Sequence, residues 1–129
     1  MTRYVSVPGL HKRTGVWGCC FSWNPFRPVV YFDPIVDLMH GGNALMFHEA
    51  AHARGKHILV GLLLLPTVIG YVWWRRRAEV IADVAAIKAY PEEMYAFCRL
   101  HPHPKTWWGR WLYARSPEER HERARNAAG

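Results

Sequence analysis

The chain has 129 residues, half of them apolar, 14% aromatic and 21% charged, with a formal net charge of +7. That length suits one domain with little room for a second core, and the apolar content excludes a disordered chain. Ten Gly and nine Pro without a period exclude a collagen-like chain, whereas the positive charge leaves nucleic acid, an anionic membrane surface and an acidic substrate open as partners.

Residues 1–15 read as a polar entry segment with turn signals at Pro8-Gly9 and Thr14-Gly15. The basic start is followed by no apolar core or small-residue cleavage site, so no signal peptide is expected. Cys19, Cys20 and Cys98 show no CxxC spacing. A disulfide framework is therefore not expected, and a reducing compartment, the cytoplasm, is. The β-favouring run 16–23 predicts a strand, and a second follows at about 29–33, within 28–36, where Pro34 ends it.

From Gly42-Asn43 the pattern turns helical. Good helix formers and Asn43 as cap predict a helix from about 44 to 57. An uncharged run, 58–74, is followed by Arg75, Arg76 and Arg77. Helices are then expected over 77–90, stopped by Pro91, and over 91–100 with Pro91 in the first turn. Residues 101–111 read as a Pro-broken aromatic loop within a basic C-terminal segment, 101–129. Ser116, Pro117 and Glu119 predict a capped polar helix over 116–129.

The chemistry lies in His48-Glu49-Ala50-Ala51-His52, an HExxH. Positions i and i+4 share one helix face, so both imidazoles can reach one Zn²⁺. Glu49 lies close enough to hold a water on the metal and take its proton. A catalytic zinc needs a third protein ligand, and Glu79 and Asp83 repeat the i, i+4 spacing on the next helix. Glu79 is the candidate ligand. Asp83, one turn deeper, would accept the second N–H of a ligand histidine. The competing expectation is a solvated acidic face with Glu79 paired to Arg75 or Arg76.

HEAAHARGKH followed by AEVIAD resembles the gluzincin metallopeptidases, within them the group of minigluzincins, heat-shock membrane proteases and CaaX prenyl proteases. The resemblance covers about 44–90, with a faint echo in 116–120. It implies Zn²⁺ held by His48, His52 and Glu79, Glu49 as general base and Asp83 behind the ligands. It also implies a peptide or protein substrate extended along an edge strand ahead of the active-site helix, for which 28–33 is the candidate. Family members often carry Thr-His-Pro before Glu-Glu-Arg; here Tyr113-Ala114-Arg115-Ser116-Pro117 precedes Glu118-Glu119-Arg120. The group that stabilises the oxyanion is thus open among His57, His101, His103, Tyr90 and Arg120.

Seventeen residues fall short of the roughly 20 needed for a single span, and a lone span would separate Glu79 from His48 and His52. Shared metal binding therefore predicts that 58–74 doubles back, with Pro66 as the bend between Gly61 and Gly70. Basic flanks and Trp73-Trp74 suit a hairpin dipped into the cytoplasmic leaflet. The alternative buries the hairpin as core or against a partner.

Taken together, the residues predict a single α+β domain over 1–129, a small zincin-like fold. A short β-sheet would pack on an active-site helix and a second ligand-bearing helix, with an apolar hairpin insert. The expected function is a zinc-dependent endopeptidase, cytoplasmic or associated with the cytoplasmic face of a membrane. The competing functions are a catalytically weak or inactive gluzincin-like metal-binding or interaction protein and, behind it, a basic nucleic-acid-binding module. The last rests on the aromatics and cations of 101–111 and the tail, with no match to a named nucleic-acid fold.

Overall fold

Branched and aromatic side chains fit a pleated, half-buried surface, and the segments rich in them form strands. The structure is a computed structural model that describes residues 3–21, 26–100, 106–114 and 116–129. Strands β1 (Arg3–Ser6), β2 (Gly18–Phe21) and β3 (Val29–Phe32) make one sheet in the order β1-β3-β2. The two predicted strands, β2 and β3, run antiparallel, with Cys19 opposite Tyr31 and Cys20 opposite Val30. Strand β1 lies within the expected polar entry segment and pairs parallel to β3. β3 is consequently the central strand, so 28–33 cannot offer the edge expected for a substrate. The outer strand on the cleft side is β2.

Seven α-helices accompany the sheet among the described residues, and the architecture is α+β. They are α1 (Leu10–Thr14), α2 (Gly42–Arg54), α3 (His57–Leu64), α4 (Val68–Ala89), α5 (Met94–Leu100), α6 (Trp107–Tyr113) and α7 (Pro117–Ala128). Asn43 does not cap α2. Gly41 occupies the cap position at φ 94° with no side-chain bond to the helix. Glu93 does this work from across the fold, accepting from Gly41 N at 3.1 Å and Asn43 Nδ2 at 3.2 Å. Its carboxylate also sits at the positive end of the helix dipole.

The helix that carries Glu79 and Asp83 is longer than its predicted span. Nothing between Gly70 and Pro91 breaks it, so α4 runs 22 residues and Arg75, Arg76 and Arg77 lie inside it. The apolar run does double back, as α3 and the start of α4 joined around Pro66. Trp74 Nε1 closes the hairpin by donating to the His57 carbonyl at 3.0 Å. The two arms pack in ordinary contact at Gly61, where a Cβ would stand 3.4 Å from the Tyr71 ring and 3.6 Å from Trp74. No described helix is long and apolar enough to cross a membrane.

Two further elements differ from expectation. Residues 91–93 form a turn and α5 starts at Met94, so Pro91 lies outside its first turn. Part of the expected aromatic loop is α6, whose cap is Thr106: its Oγ1 accepts from Gly109 N at 3.2 Å. Ser116 caps α7 as predicted, accepting from Glu119 N at 3.1 Å.

The core joins Ala44 and Leu45 of α2, Ala86 and Ile87 of α4, Met94, Phe97 and Cys98 of α5, and Ala124 of α7. Ala78, Ala82 and Ala86 are all buried along α4. Small side chains at an interhelical contact shorten the distance between axes. That closeness lets carboxylates on α4 reach imidazoles on α2.

Candidate metal centre

His48 and His52 stand one turn apart on α2, and their Nε2 atoms lie 3.1 Å from each other. Glu79 on α4 closes the third side. Its Oε2 lies 3.4 Å from His48 Nε2 and its Oε1 lies 3.4 Å from His52 Nε2. One donor atom of each residue falls within 4.8 Å of the others, so the three can hold a metal ion.

The outer imidazole nitrogens explain the inner ones. His48 Nδ1 lies 2.9 Å from Asp83 Oδ1, and His52 Nδ1 lies 2.7 Å from His57 Nδ1. With protons on the outer nitrogens, both Nε2 lone pairs face one point beside a carboxylate. A cation there suits all three groups. Burial alone would lower the His48 pKa, but hydrogen bonds to Asp83 and Glu79 outweigh it and bring it up to about 10. Burial would raise Glu79 in turn, yet the hydrogen bonds from His48 and His52 prevail and hold it well below the usual carboxylate range.

Asp83 is fully buried behind His48. Arg120 from α7 grips it with both arms, Nε to Oδ2 and Nη2 to Oδ1, each at 2.8 Å. Burial opposes ionisation of Asp83, but the Arg120 guanidinium and then His48 hold its pKa below the usual range. Phe97 packs on both sides of this arrangement, 5.1 Å from the His48 ring and 5.1 Å from the Arg120 guanidinium carbon.

Local backbone geometry delivers His57. α2 ends at Gly55, Lys56 turns left-handed at φ 50°, and α3 begins at once with His57. A Cβ on Gly55 would overlap the His57 ring, so only glycine leaves that ring its place against His52. Burial, followed by the nearby His52, lowers His57 to about 4, which keeps the ring neutral.

The cluster opens into a cleft of about 510 Å³. β2 forms one wall, the α3–α4 hairpin another, and Glu49, Arg75 and Tyr113 also line it. Gly18 permits the sheet to lie this close to α2, since a Cβ there would meet Leu45 Cδ2 at 3.0 Å and Glu49 Cγ at 3.7 Å. Glu49 itself is buried, and burial pushes its carboxyl up against the lowering influence of His48 and His52.

The fold thus brings His48, His52 and Glu79 together, with Asp83 behind His48 and Glu49 on the cleft wall. The open candidates are engaged elsewhere. Arg120 is bidentate on Asp83 with its Nη2 also 3.6 Å from Glu79 Oε2, His57 lines the cleft but turns Nδ1 to His52, and Tyr90 ends α4 with its ring edge-on to Phe47 at 6.0 Å. His101 and His103 lie outside the described residues. Arg75 donates to the Tyr113 hydroxyl at 3.3 Å, and Arg76 lies over the Trp111 ring at 4.8 Å. Sequence reasoning missed Tyr71, Arg75 and Tyr113 as cleft residues. For the first two a signal existed, because 71, 75, 79 and 83 form a four-residue ladder along one face of α4. Tyr113 carries no such mark.

No protein-family profile, curated protein or solved structure matches this chain.

Proposed function

We propose that this protein is a zinc-dependent endopeptidase of gluzincin type. One observation carries the proposal: two imidazole Nε2 atoms and a carboxylate converge within 4.8 Å at a cleft that a further buried carboxylate, Glu49, also lines. Two nitrogens and one oxygen, with an open side toward the cleft, form the donor set of a catalytic zinc site. Zn²⁺ held there would supply Lewis acidity for water and for the scissile carbonyl.

The chain's own residues supply the rest. Asp83 and His57 hold the outer nitrogens of His48 and His52, which fixes both tautomers. Glu49 takes a proton from the attacking water and hands it to the departing amide nitrogen; a carboxyl raised by burial is suited to both transfers. The outer edge of β2 beside the cleft would take an extended peptide, which would add to the sheet as a fourth strand. The test is cleavage of fluorescein-labelled casein by zinc-loaded protein. Activity should vanish on chelation, return with zinc, and be absent in Glu49→Gln despite bound metal. Undiminished cleavage by Glu49→Gln would refute the mechanism.

A membrane surface is the partner that the hairpin favours. Leu63, Val68 and Ile69 are 71%, 72% and 87% exposed at its tip, and Trp73 is also exposed. No acidic residue occurs between Glu49 and Glu79, whereas Arg54, Lys56, Arg75, Arg76 and Arg77 do. An apolar tip on a hairpin flanked at its base by cations fits the interface of an anionic bilayer.

A further inference from the structure

The group that meets the oxyanion was left open by the sequence, and the described candidates for it are held in other contacts. The cleft contains a better-placed pair. Tyr71, Arg75 and Glu79 follow one another at four-residue spacing along α4, and all three line the cleft with Tyr113 from the end of α6. Arg75 Nη2 donates to the Tyr113 hydroxyl oxygen at 3.3 Å. The phenol is the acceptor in that bond, so its own proton is available to donate into the cleft. Burial, with Glu79 adding to it, raises the Tyr113 pKa, and the hydroxyl keeps its proton throughout the neutral range.

The backbone marks the same place independently. Lys56 and Ala114 are the two non-glycine residues with positive φ among those described. Each adjoins a polar aromatic side chain of the cleft, His57 and Tyr113. Ala114 has φ 79° and ψ 162°, a region occupied almost solely by glycine, and its side chain is buried. Such a conformation is strained and persists where the surrounding fold imposes it, above all at functional sites. Around it, Leu112 is buried and Arg123 Nη1 lies within 3.4 Å of the Leu112 carbonyl. The chain is thus held in a strained turn at the residue that follows Tyr113.

We propose that Tyr113 is a catalytic residue that donates its hydroxyl hydrogen bond to the oxyanion of the tetrahedral intermediate, with Arg75 as its positioning residue. This rests on the peptidase function proposed above. As water adds, its oxygen bonds to the carbonyl carbon, one proton passes to Glu49, and the carbonyl π pair moves onto oxygen. That oxygen gains negative charge where the Tyr113 O–H meets it. On collapse the pair re-forms the C=O bond and the C–N bond breaks, with the nitrogen taking the proton from Glu49. Transfer of the remaining hydroxyl proton leaves a carboxylate and an ammonium.

The experiment compares wild type, Tyr113→Phe, Arg75→Gln, Arg75→Lys and Glu49→Gln as full-length zinc-loaded chains. Two readouts are used: the kcat and KM for fluorescein-labelled casein, and the affinity for a phosphinic dipeptide, whose tetrahedral oxygens mimic the intermediate. Removal of one oxyanion donor lowers kcat on the order of 10²-fold. Tyr113→Phe should show that loss with KM, zinc content and melting temperature unchanged, and a matching loss of phosphinate affinity. Arg75→Gln should lose part of both, with Arg75→Lys restoring some. A Tyr113→Phe protein within twofold of wild type in kcat and phosphinate affinity, beside an inactive Glu49→Gln, overturns the Tyr113 role alone. If zinc-loaded wild type neither cleaves casein nor binds the phosphinate, the peptidase function fails and the Tyr113 role falls with it.

Discussion

His52 and His57 meet through their Nδ1 atoms at 2.7 Å. Only one of two facing ring nitrogens can carry the proton, and His52 must be the donor if its Nε2 is to present a lone pair to metal. His57 acts as the acceptor that sets this tautomer. Loss of such an outer partner typically costs 10–100-fold in metal affinity. His57→Ala is expected to weaken zinc by about that factor in a chelator competition. Gly55→Ala, which intrudes on the His57 ring, should weaken it in the same direction. Wild-type affinity in both variants would remove His57 from the site.

Arg120 presents a second relationship legible only in three dimensions. It places a bidentate guanidinium on Asp83, both residues being buried. Breaking a buried pair from one side costs about 3–5 kcal/mol where the remaining charge has no other partner, and here His48 at 2.9 Å and Arg123 at 3.6 Å stay beside Asp83. Arg120→Met is therefore expected to lose stability, by less than that, in urea denaturation of metal-free protein. Arg120→Met combined with Asp83→Asn should recover part of the loss. A single variant as stable as wild type would contradict the pairing.

The pH dependence of the metal-free protein follows from His48. Its folded pKa is raised to about 10 from 6.5. Folding therefore gains from the His48 proton in full below pH 6.5, and the gain is lost as pH rises through about 10. Asp83 acts oppositely: its pKa is lowered from 3.8, so its contribution is present above that value and is lost in strong acid. The melting temperature of chelator-treated protein is expected to fall between pH 7 and pH 10. Zinc bound as proposed would take the place of the proton on His48, so zinc-loaded protein should show no such decline. Parallel curves for the two forms would count against His48 as ligand.

The exposed hairpin tip gives a separate expectation. The chain should float with vesicles containing anionic phosphatidylglycerol and less with neutral phosphatidylcholine alone. Leu63→Asp with Ile69→Asp should abolish flotation while sparing zinc binding, because both side chains project from the tip. Equal flotation of this variant would place any membrane contact elsewhere.

Much of the site was legible because its signals are local. HExxH at i, i+4 and Glu79 with Asp83 at i, i+4 fix their faces by helical geometry alone. The doubling back of 58–74 followed from requiring Glu79 and His48 to share an ion. What was not legible depends on long-range contact. Glu93 rather than Asn43 serves the start of α2 because the α4–α5 turn returns beside it. β1 lies in a stretch of only four paired residues, too short and polar to stand out, and its pairing turns β3 into the central strand. α6 was hidden by Pro102 and Pro104, which end before Thr106 opens the helix. Tyr113 could be found only from the cleft.

The most direct test is the metal content of purified protein, measured by mass spectrometry on wild type, His48→Ala, Glu79→Ala and Glu49→Gln. The expected result is one zinc per chain in wild type and in Glu49→Gln, with zinc lost from His48→Ala and Glu79→Ala. A wild type that takes up no stoichiometric zinc on reconstitution, or a folded Glu79→Ala that keeps it, would contradict the account.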